Sequence, residues 1–273
     1  MAKTVKLLVG TRKGLYQLQS DADRKKWSVE GPYAAPAPVY HASFDPRDQS
    51  MYAAINSTWG GSRIEYSRDL GKTWTVSKNP AFPADGDRKF HQTWHIEPGH
   101  ARTPNVVWAG VEPAALFKSS DRGETWELVK SLDDQPSRET WQPGFGGLGL
   151  HSIAIDAVDP KRMQVGISVG GVYTSKDGGS TWDRDNAKSG GAEDRPDVFY
   201  CIHKLLAHPK AAGVRFMRVH EEVYWRDDGE KTWTFRTPGL PSNFGFAAAI
   251  HPQDPKTAWV IPLDGRKRTA NDP

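Results

Sequence analysis

The sequence predicts an all-β fold, a β-propeller of four-stranded antiparallel blades, and three observations support that prediction. An eight-residue pattern, S-x-D-x-G-x-T-W, occurs without exception at 67–74, 119–126 and 175–182. Copies of this octet recur with a period near 50 residues, which is typical of propeller blades. The same order of short apolar segments surrounds each copy, and no helical pattern of about 10–15 residues competes with it.

Each octet has the composition of a tight turn between two strands. Its Asp can accept hydrogen bonds from backbone N–H groups just ahead of it, its Gly supplies a positive φ, and its Trp brings a large apolar surface between neighbouring sheets. A fourth copy, RDDGEKTW (226–233), and a weak one, SDADRKKW (20–27), extend the series. If the octet carboxylates were catalytic acids, the chain would need three identical active sites, so this alternative is not favoured. The octet residues expected to be structural are Asp69, Gly71, Trp74, Asp121, Gly123, Trp126, Asp177, Gly179, Trp182, Asp228 and Trp233.

The repeat predicts a single propeller domain over residues 1–264, followed by a polar tail at 265–273. The chain begins at the second strand of its first blade and supplies only two strands of its last, which makes about 5.5 blades. We expect these blades to belong to a larger ring of six or seven blades. The alternative is a closed ring of five. Closure matters in either case, because an open ring exposes sheet edges. The expected blades lie near 5–32, 39–78, 91–131, 149–186, 201–237 and 244–264.

The composition argues against several classes of function. The 273 residues carry a formal net charge of +3, and the Lys and Arg are scattered, which does not favour nucleic-acid binding. The one cysteine, Cys201, excludes an intrachain disulfide, and no apolar run suits a signal peptide or a membrane span. We therefore expect a cytoplasmic protein with neither a nucleic-acid nor a membrane partner.

Polar residues of different types follow the second strand of each blade. The octets mark one face of an antiparallel blade, and the loops after the second strand lie on the opposite face. A polar side chain that varies from blade to blade is expected where a ligand presents distinct groups, whereas ordinary loop polarity is the alternative. The residues at this position are Arg12, Asn56, Glu112, Ser168, His220 and Asp264.

Histidines occur at the start of four successive first strands, at His41, His95, His151 and His203. The topology places them on the same face as Trp94, Glu97 and Glu112, with Trp141 on a long loop as a candidate stacking surface. Glu97 and Glu112 are the candidate general acid and base, because paired carboxylates are the usual requirement of glycoside cleavage. The four histidines are an alternative site for a divalent metal such as Zn, Mn or Fe.

The octets, together with VGTRKGLY, WHIEPG, AGVEPAALF and GLHSI, resemble the BNR or Asp-box repeat propellers. That group includes sialidases, sortilin-type receptors and photosystem II assembly factors, and the chain is most similar to bacterial members described as glycosyl hydrolase or exo-α-sialidase-like. The resemblance implies a propeller fold and a hydrolase-like function. It does not extend to the sialidase mechanism, because Arg12 is followed by Lys13 rather than Ile-Pro and the late nucleophilic tyrosine has no candidate.

Two functions remain open from the sequence. One is a glycoside hydrolase-like enzyme that acts on a carbohydrate at the face opposite the octets. The other is a non-catalytic propeller that uses the same face to bind a carbohydrate, another small polar ligand or a protein partner. In both, the variable polar residues and the histidines hold the ligand.

Overall fold

The computed structural model describes residues 4–57, 60–185 and 201–264. The chain divides into two compact units, Met1–Leu128 and Val129–Pro273, and a single domain over 1–264 stays a prediction. The predicted tail and the predicted end of the fourth blade at residue 186 lie outside the described residues. In the described part of the chain, no helix has the length and apolar character needed to cross a membrane.

Unit 1 contains three antiparallel sheets whose strands follow one another in chain order. Sheet one has the strands β1 (Val5–Thr11), β2 (Gly14–Ser20) and β3 (Trp27–Tyr33). Sheet two has β4 (Val39–Phe44), β5 (Met51–Ser57), β6 (Gly61–Ser67) and β7 (Thr75–Val76). Sheet three has β8 (Gln92–Pro98), β9 (Val107–Glu112), β10 (Ala115–Ser119) and β11 (Glu127–Leu128).

Unit 2 begins with the short helix α1 (Lys130–Asp133) and a 3-10 turn (Pro136–Thr140), and three sheets follow. Sheet four has β12 (Leu150–Ile155), β13 (Met163–Ile167), β14 (Gly171–Ser175) and β15 (Asp183–Arg184). Sheet five has β16 (Ile202–Ala207), β17 (Arg215–Val219), β18 (Val223–Arg226) and β19 (Thr234–Phe235). Sheet six has β20 (Ala248–Ile250) and β21 (Ala258–Val260).

Neighbouring sheets within each unit pack through their apolar faces. Ile96 and Phe117 of sheet three are fully buried against Tyr52 of sheet two. In unit 2, Ile202 and Met217 of sheet five contribute to the core that also includes residues of sheet four. Burying one such side chain contributes about 1.5–3 kcal/mol, so these cores hold the strand ends, and with them any site, at fixed positions.

The three exact octets form the same hydrogen-bonded turn. The Asp69 carboxylate accepts the backbone N–H of Thr73 at 2.9 Å and its hydroxyl at 2.7 Å, and the Asp121 and Asp177 octets repeat both contacts. The hydrogen bonds from Thr73 and Thr181 are the main cause that lowers the pKa of Asp69 and of Asp177 to about 2. Carboxylates this acidic stay ionised at neutral pH, so they do not suit general acid catalysis.

Two of the octet tryptophans attach their sheet to the segment before it. The indole N–H of Trp126 donates to the Ser77 hydroxyl, just after sheet two, at 2.8 Å. The indole N–H of Trp233 donates to the carbonyl of Asp185, just after sheet four, at 3.0 Å. A large apolar ring that also satisfies its one donor fixes both the distance and the orientation of neighbouring sheets.

The fourth octet, RDDGEKTW, forms a different turn. Glu230 occupies the glycine position of the pattern, and the positive φ, 80°, falls one residue earlier on Gly229. The Asp228 carboxylate faces Arg162 at 3.5 Å, and in the described residues no hydrogen bond joins it to Thr232. The expectation that Asp228 closes an octet turn is therefore corrected, because without a glycine at the fifth position the backbone does not bring Thr232 to the carboxylate.

A buried ion pair connects sheets four and five. The guanidinium Nη2 of Arg215 lies 3.0 Å from Oδ2 of Asp156, and the side chains are 3% and 0% exposed. Asp156 also accepts the backbone N–H of Gly213 at 2.8 Å. Both charges are thus satisfied inside the unit, as a buried pair requires.

Replacement of the octet glycine Gly123 is expected to destabilise the chain. Its φ is 88°, and a Cβ on it would lie 2.8 Å from a ring carbon of the buried Tyr52. Gly123→Ala should lower the free energy of unfolding by about 2–4 kcal/mol, because left-handed backbone strain adds to steric overlap. Gly178→Ala is the matched control, since Gly178 has a φ of 76° but open space around it, and about 1 kcal/mol is expected. If urea unfolding showed the same loss of free energy for both variants, steric overlap with Tyr52 would not be the cause.

Candidate functional site

The first strand of sheets two to five carries a β-bulge at the same place. Its register against the second strand shifts between Val39 and His41 in sheet two, and equivalent shifts occur in the other three sheets. A bulge leaves one residue unpaired and re-aims its side chain. The bulge residues are Tyr40, Trp94, His151 and His203.

Next to the end of the second strand of each of these sheets, a polar residue occupies an equivalent register position, which we call the slot. In sheet three, for example, Thr93 pairs with Val111, and the slot residue Glu112 follows. The slot residues are Asn56, Glu112, Ser168 and His220. Bulge and slot residues therefore come together at one end of each sheet.

In unit 1 the bulge and slot residues form a connected patch. The Glu112 carboxylate oxygen Oε2 accepts the indole N–H of Trp94 at 2.9 Å and the amide N–H of Gln92 at 2.7 Å. The Gln92 carbonyl accepts the Asn56 amide N–H at 2.6 Å. The Tyr40 ring packs edge-on against Trp94, with centroids 5.3 Å apart. We call these five residues the unit 1 patch. Gln92 was not among the predicted site residues, although it stands two residues before Trp94.

His41 and His95 occupy a different register from His151 and His203. The rings of His41 and His95 contact each other in a tilted arrangement, with centroids 4.3 Å apart. His41 Nδ1 accepts the backbone N–H of Ile96 at 3.2 Å, an inter-sheet contact, and His95 Nε2 lies 3.0 Å from Glu97 Oε2. His41 and His95 therefore stand one residue past the bulge position that His151 and His203 occupy, so the four histidines fall into two structural positions.

Unit 2 repeats the inter-sheet contact of His41 with a serine. The Ser152 hydroxyl accepts the backbone N–H of Leu205 at 3.1 Å, at the register position that His41 holds in sheet two. At this repeat position, a hydroxyl in one unit and an imidazole in the other thus accept a backbone N–H from the neighbouring sheet. This equivalence indicates that His41 helps to join neighbouring sheets.

Glu97 and Glu112 lie apart on the same sheet. Glu97 pairs with Trp108, whereas Glu112 pairs with Gln92. Along β9, the position paired with Glu97 is therefore four residues away from Glu112, which corresponds to about 13 Å. Glycosidase acid and base pairs stand about 5–9.5 Å apart, so this geometry does not bring the two candidate carboxylates together for paired catalysis.

Three other predicted ligand residues lie in surroundings that limit their role. Trp141 is only 5% exposed and donates its indole N–H to the Tyr173 hydroxyl at 2.8 Å, so the expected stacking surface is corrected to a core residue. The Ser168 hydroxyl bonds the backbone of Gly149. Arg12 lies exposed in the turn between β1 and β2, and no hydrogen bond joins its side chain to another described residue.

In unit 2 the bulge and slot residues of sheet five are both histidines. His203 Nε2 lies 3.4 Å from His220 Nδ1, which is in the turn between β17 and β18. His203 Nδ1 lies 2.7 Å from the carbonyl oxygen of Gly245, and the Phe246 ring stacks on His203 with centroids 4.5 Å apart. Cys201 completes the group, because its Sγ and one nitrogen of each histidine lie within 4.8 Å of one another.

Arg218 supports this group from inside the unit. It is fully buried, and its Nε donates to the Gly245 carbonyl at 2.8 Å while Nη2 donates to the Asn243 carbonyl at 3.2 Å. No carboxylate among the described residues forms an ion pair with it. Burial lowers the pKa of Arg218. Arg218 was not predicted as a site residue, and it stands at a position where sheets three and four have glycine.

A cavity of about 470 Å³ lies between sheets five and six. Its lining includes Phe216, Trp225 and Val260. None of the residues predicted as site residues lines it, so the candidate site rests on the bulge and slot residues.

Comparison with known proteins supports the fold class. No family model matches the chain. A probable oligoxyloglucan-reducing end-specific xyloglucanase of Neosartorya fischeri is 28% identical over 265 residues, which cover 81% of this chain but only 30% of that protein. The chain therefore spans less than a third of the length of this curated relative.

Solved structures with similar folds include proteins of different function. The GH74 enzyme of Niastella koreensis superposes with a TM-score of 0.62 at 18% identity, covering 93% of this chain and 40% of the enzyme. YCF48 bound to a D1 peptide superposes with a TM-score of 0.53 at 13% identity, covering 95% and 77%. Both are β-propellers, and the predicted fold class is confirmed. Because one fold hosts many functions, function has to be argued from the site.

Proposed function

We propose that the chain is a carbohydrate-binding propeller and that the unit 1 patch binds the sugar. The observation that carries the proposal is the Glu112 carboxylate, held by Trp94 and Gln92 beside the half-exposed ring of Tyr40. Sugar rings present apolar C–H faces, which pack on aromatic rings, and hydroxyls, which hydrogen-bond to planar carboxylates and amides. The patch offers both kinds of surface side by side.

The ligand proposed for this patch is a glucan-type oligosaccharide, such as a xyloglucan fragment. The support is that the curated relative of Neosartorya fischeri is named a xyloglucanase and matches most of this chain. The three exact octet turns further support placing the chain among the Asp-box repeat propellers. Binding without cleavage is favoured, because Glu97 does not stand near enough to Glu112 to complete a carboxylate pair.

Trp94→Ala is expected to weaken binding of xyloglucan oligosaccharides about tenfold or more, which is about 1.4 kcal/mol or more. The variant removes a stacking surface and also one hydrogen bond to Glu112. Isothermal titration calorimetry measures the change. The matched control is Trp259→Ala, which removes a tryptophan that is 52% exposed in unit 2 and should leave affinity unchanged. Equal losses in both variants, or no binding by the unaltered chain, would overturn the proposal.

Glu112→Gln separates binding from hydrolysis. The glutamine keeps an acceptor for Trp94 and Gln92 but removes the negative charge. We expect no release of reducing ends by the unaltered chain and an affinity for the oligosaccharide that falls less than tenfold in the variant. Turnover by the unaltered chain that disappears in Glu112→Gln, with affinity retained, would replace the binding function with a hydrolase function.

A further inference from the structure

We propose that Cys201, His203 and His220 form a binding site for a divalent transition-metal ion, with zinc preferred. Their ligand atoms, one thiol sulfur and two imidazole nitrogens, lie within 4.8 Å of one another, and all three residues are partly exposed. Thiolate and imidazole are the ligands that zinc prefers, whereas Mg²⁺ and Ca²⁺ require oxygen. The site lies in unit 2 and is independent of the carbohydrate proposed for unit 1.

The two histidines already have the spacing that one metal ion needs. His203 Nε2 and His220 Nδ1 are 3.4 Å apart. Two nitrogens bound to a tetrahedral zinc at about 2.0–2.1 Å lie about 3.3–3.4 Å from each other. The imidazoles therefore require little movement to bind one ion. The Cys201 side chain would have to move its sulfur closer to the two nitrogens, which now lie within 4.8 Å of it.

The hydrogen bond of His203 fixes the nitrogen that faces the site. Its Nδ1 lies 2.7 Å from the Gly245 carbonyl oxygen, which has no proton to give, so Nδ1–H is the donor. The neutral ring then carries its lone pair on Nε2, which points toward His220. Metal-binding histidines usually donate their second N–H to a carbonyl or carboxylate in this way. Arg218 donates to the same carbonyl oxygen and holds it in place.

Aromatic side chains surround the two imidazoles. Phe246 stacks on His203 with ring centroids 4.5 Å apart, and Phe244 meets the His220 ring at 5.0 Å. An apolar wall limits competition from water for the metal and restricts the rotation of the ligand rings. The partial exposure of the three ligands leaves an entry path. Three protein ligands leave a fourth tetrahedral position for water or a small ligand.

The bulge and slot explain why this site occurs in sheet five. Sheet three has Trp94 and Glu112 at the two positions, and sheet four has His151 and Ser168. Among the described residues, the sheet-five group is the one set of three His, Cys, Asp or Glu with metal-site spacing. Of the four histidines that the sequence offers as an alternative metal site, only His203 belongs to this group.

Titration of the full chain with Co²⁺ and Zn²⁺ tests the proposal. We expect one ion per chain, a thiolate-to-cobalt charge-transfer absorption, and loss of that absorption when Zn²⁺ displaces Co²⁺. Cys201→Ser and His220→Gln should each weaken Co²⁺ binding at least tenfold, and Cys201→Ser should also abolish the charge-transfer band. His151→Gln is the matched control, because His151 holds the same bulge position in sheet four, and its binding should equal that of the unaltered chain.

A second measurement covers variants that fold poorly. Binding to the native state raises the unfolding temperature, so Zn²⁺ should raise it in the unaltered chain and in His151→Gln but not in the two ligand variants. The proposal is overturned by substoichiometric binding, by cobalt spectra without a thiolate band, or by equal affinity in all variants.

Discussion

Asp156→Asn is expected to lower the free energy of unfolding by about 3–5 kcal/mol. Arg215 Nη2 lies 3.0 Å from Asp156 Oδ2, and neither side chain is more than 3% exposed. The substitution therefore leaves the Arg215 guanidinium buried without its carboxylate. The Asn amide also replaces one acceptor oxygen with a donor near the Gly213 N–H, which now bonds Asp156 at 2.8 Å. Chemical denaturation with urea measures the loss.

The same carboxylate makes stability depend on pH. Burial alone would raise the pKa of Asp156, but hydrogen bonds from the backbone N–H groups of Gly213, Val158 and Asp159, together with the Arg215 charge, lower it from 3.8 to about 2. Because the pKa is lower in the folded state, the stabilisation is complete above about pH 5 and is lost as the pH falls toward 2. The stability difference between the unaltered chain and Asp156→Asn should therefore narrow by about 2 kcal/mol over that range.

Asp159→Asn is the control for both measurements. The Asp159 carboxylate accepts a single local hydrogen bond, from the backbone N–H of Lys161 at 3.0 Å, and the residue is only partly buried. A loss below about 1 kcal/mol is expected, because exposed turn contacts contribute little. If Asp156→Asn cost no more than this control, the ion pair would not be a major source of stability.

Arg218→Ala should destabilise the chain by about 3 kcal/mol, because the Gly245 and Asn243 carbonyls lose their buried donor and a cavity opens. Arg218→Met fills most of the volume and isolates the hydrogen bonds, so a loss of about 2 kcal/mol is expected. Both variants should also weaken Co²⁺ binding several-fold, since the carbonyl that orients His203 is no longer fixed. Urea unfolding and the cobalt titration measure the two effects.

Arg236→Ala is the matched control for Arg218, because Arg236 is an exposed arginine of the same unit. It should change the free energy of unfolding by less than about 0.5 kcal/mol. An unchanged or increased stability in Arg218→Met would show that the cost of burying the charge exceeds the value of its hydrogen bonds.

The fold could be predicted because its signals are local. The octet turn needs only Ser, Asp, Gly and Thr within eight residues, and its period then orders the four strands of each sheet. Where the local chemistry changes, as at Glu230, the turn changes too. The fourth strands are only two residues long in the structure, because the pairing after each tryptophan is brief.

The site was less predictable because a bulge is not visible in a single sequence. Counting along the strands sets His41 one residue out of register with His203, but it does not show that a bulge puts His203 in register with Trp94. The slot residues could be aligned, since they follow small positions of the second strand. Cys201 and Arg218 gave no repeat signal, because Cys201 is grouped with His203 and His220, and Arg218 bonds the Gly245 carbonyl, through contacts that the repeat does not encode.

The bulge residues have one further consequence. A residue outside the strand pairing can be exchanged without breaking the backbone hydrogen bonds that hold its sheet together. Each sheet can thus acquire its own chemistry by changing two side chains, a carboxylate with an indole in one and two imidazoles in another, while the scaffold stays the same. The binding properties of one sheet can therefore change without altering those of the other sheets.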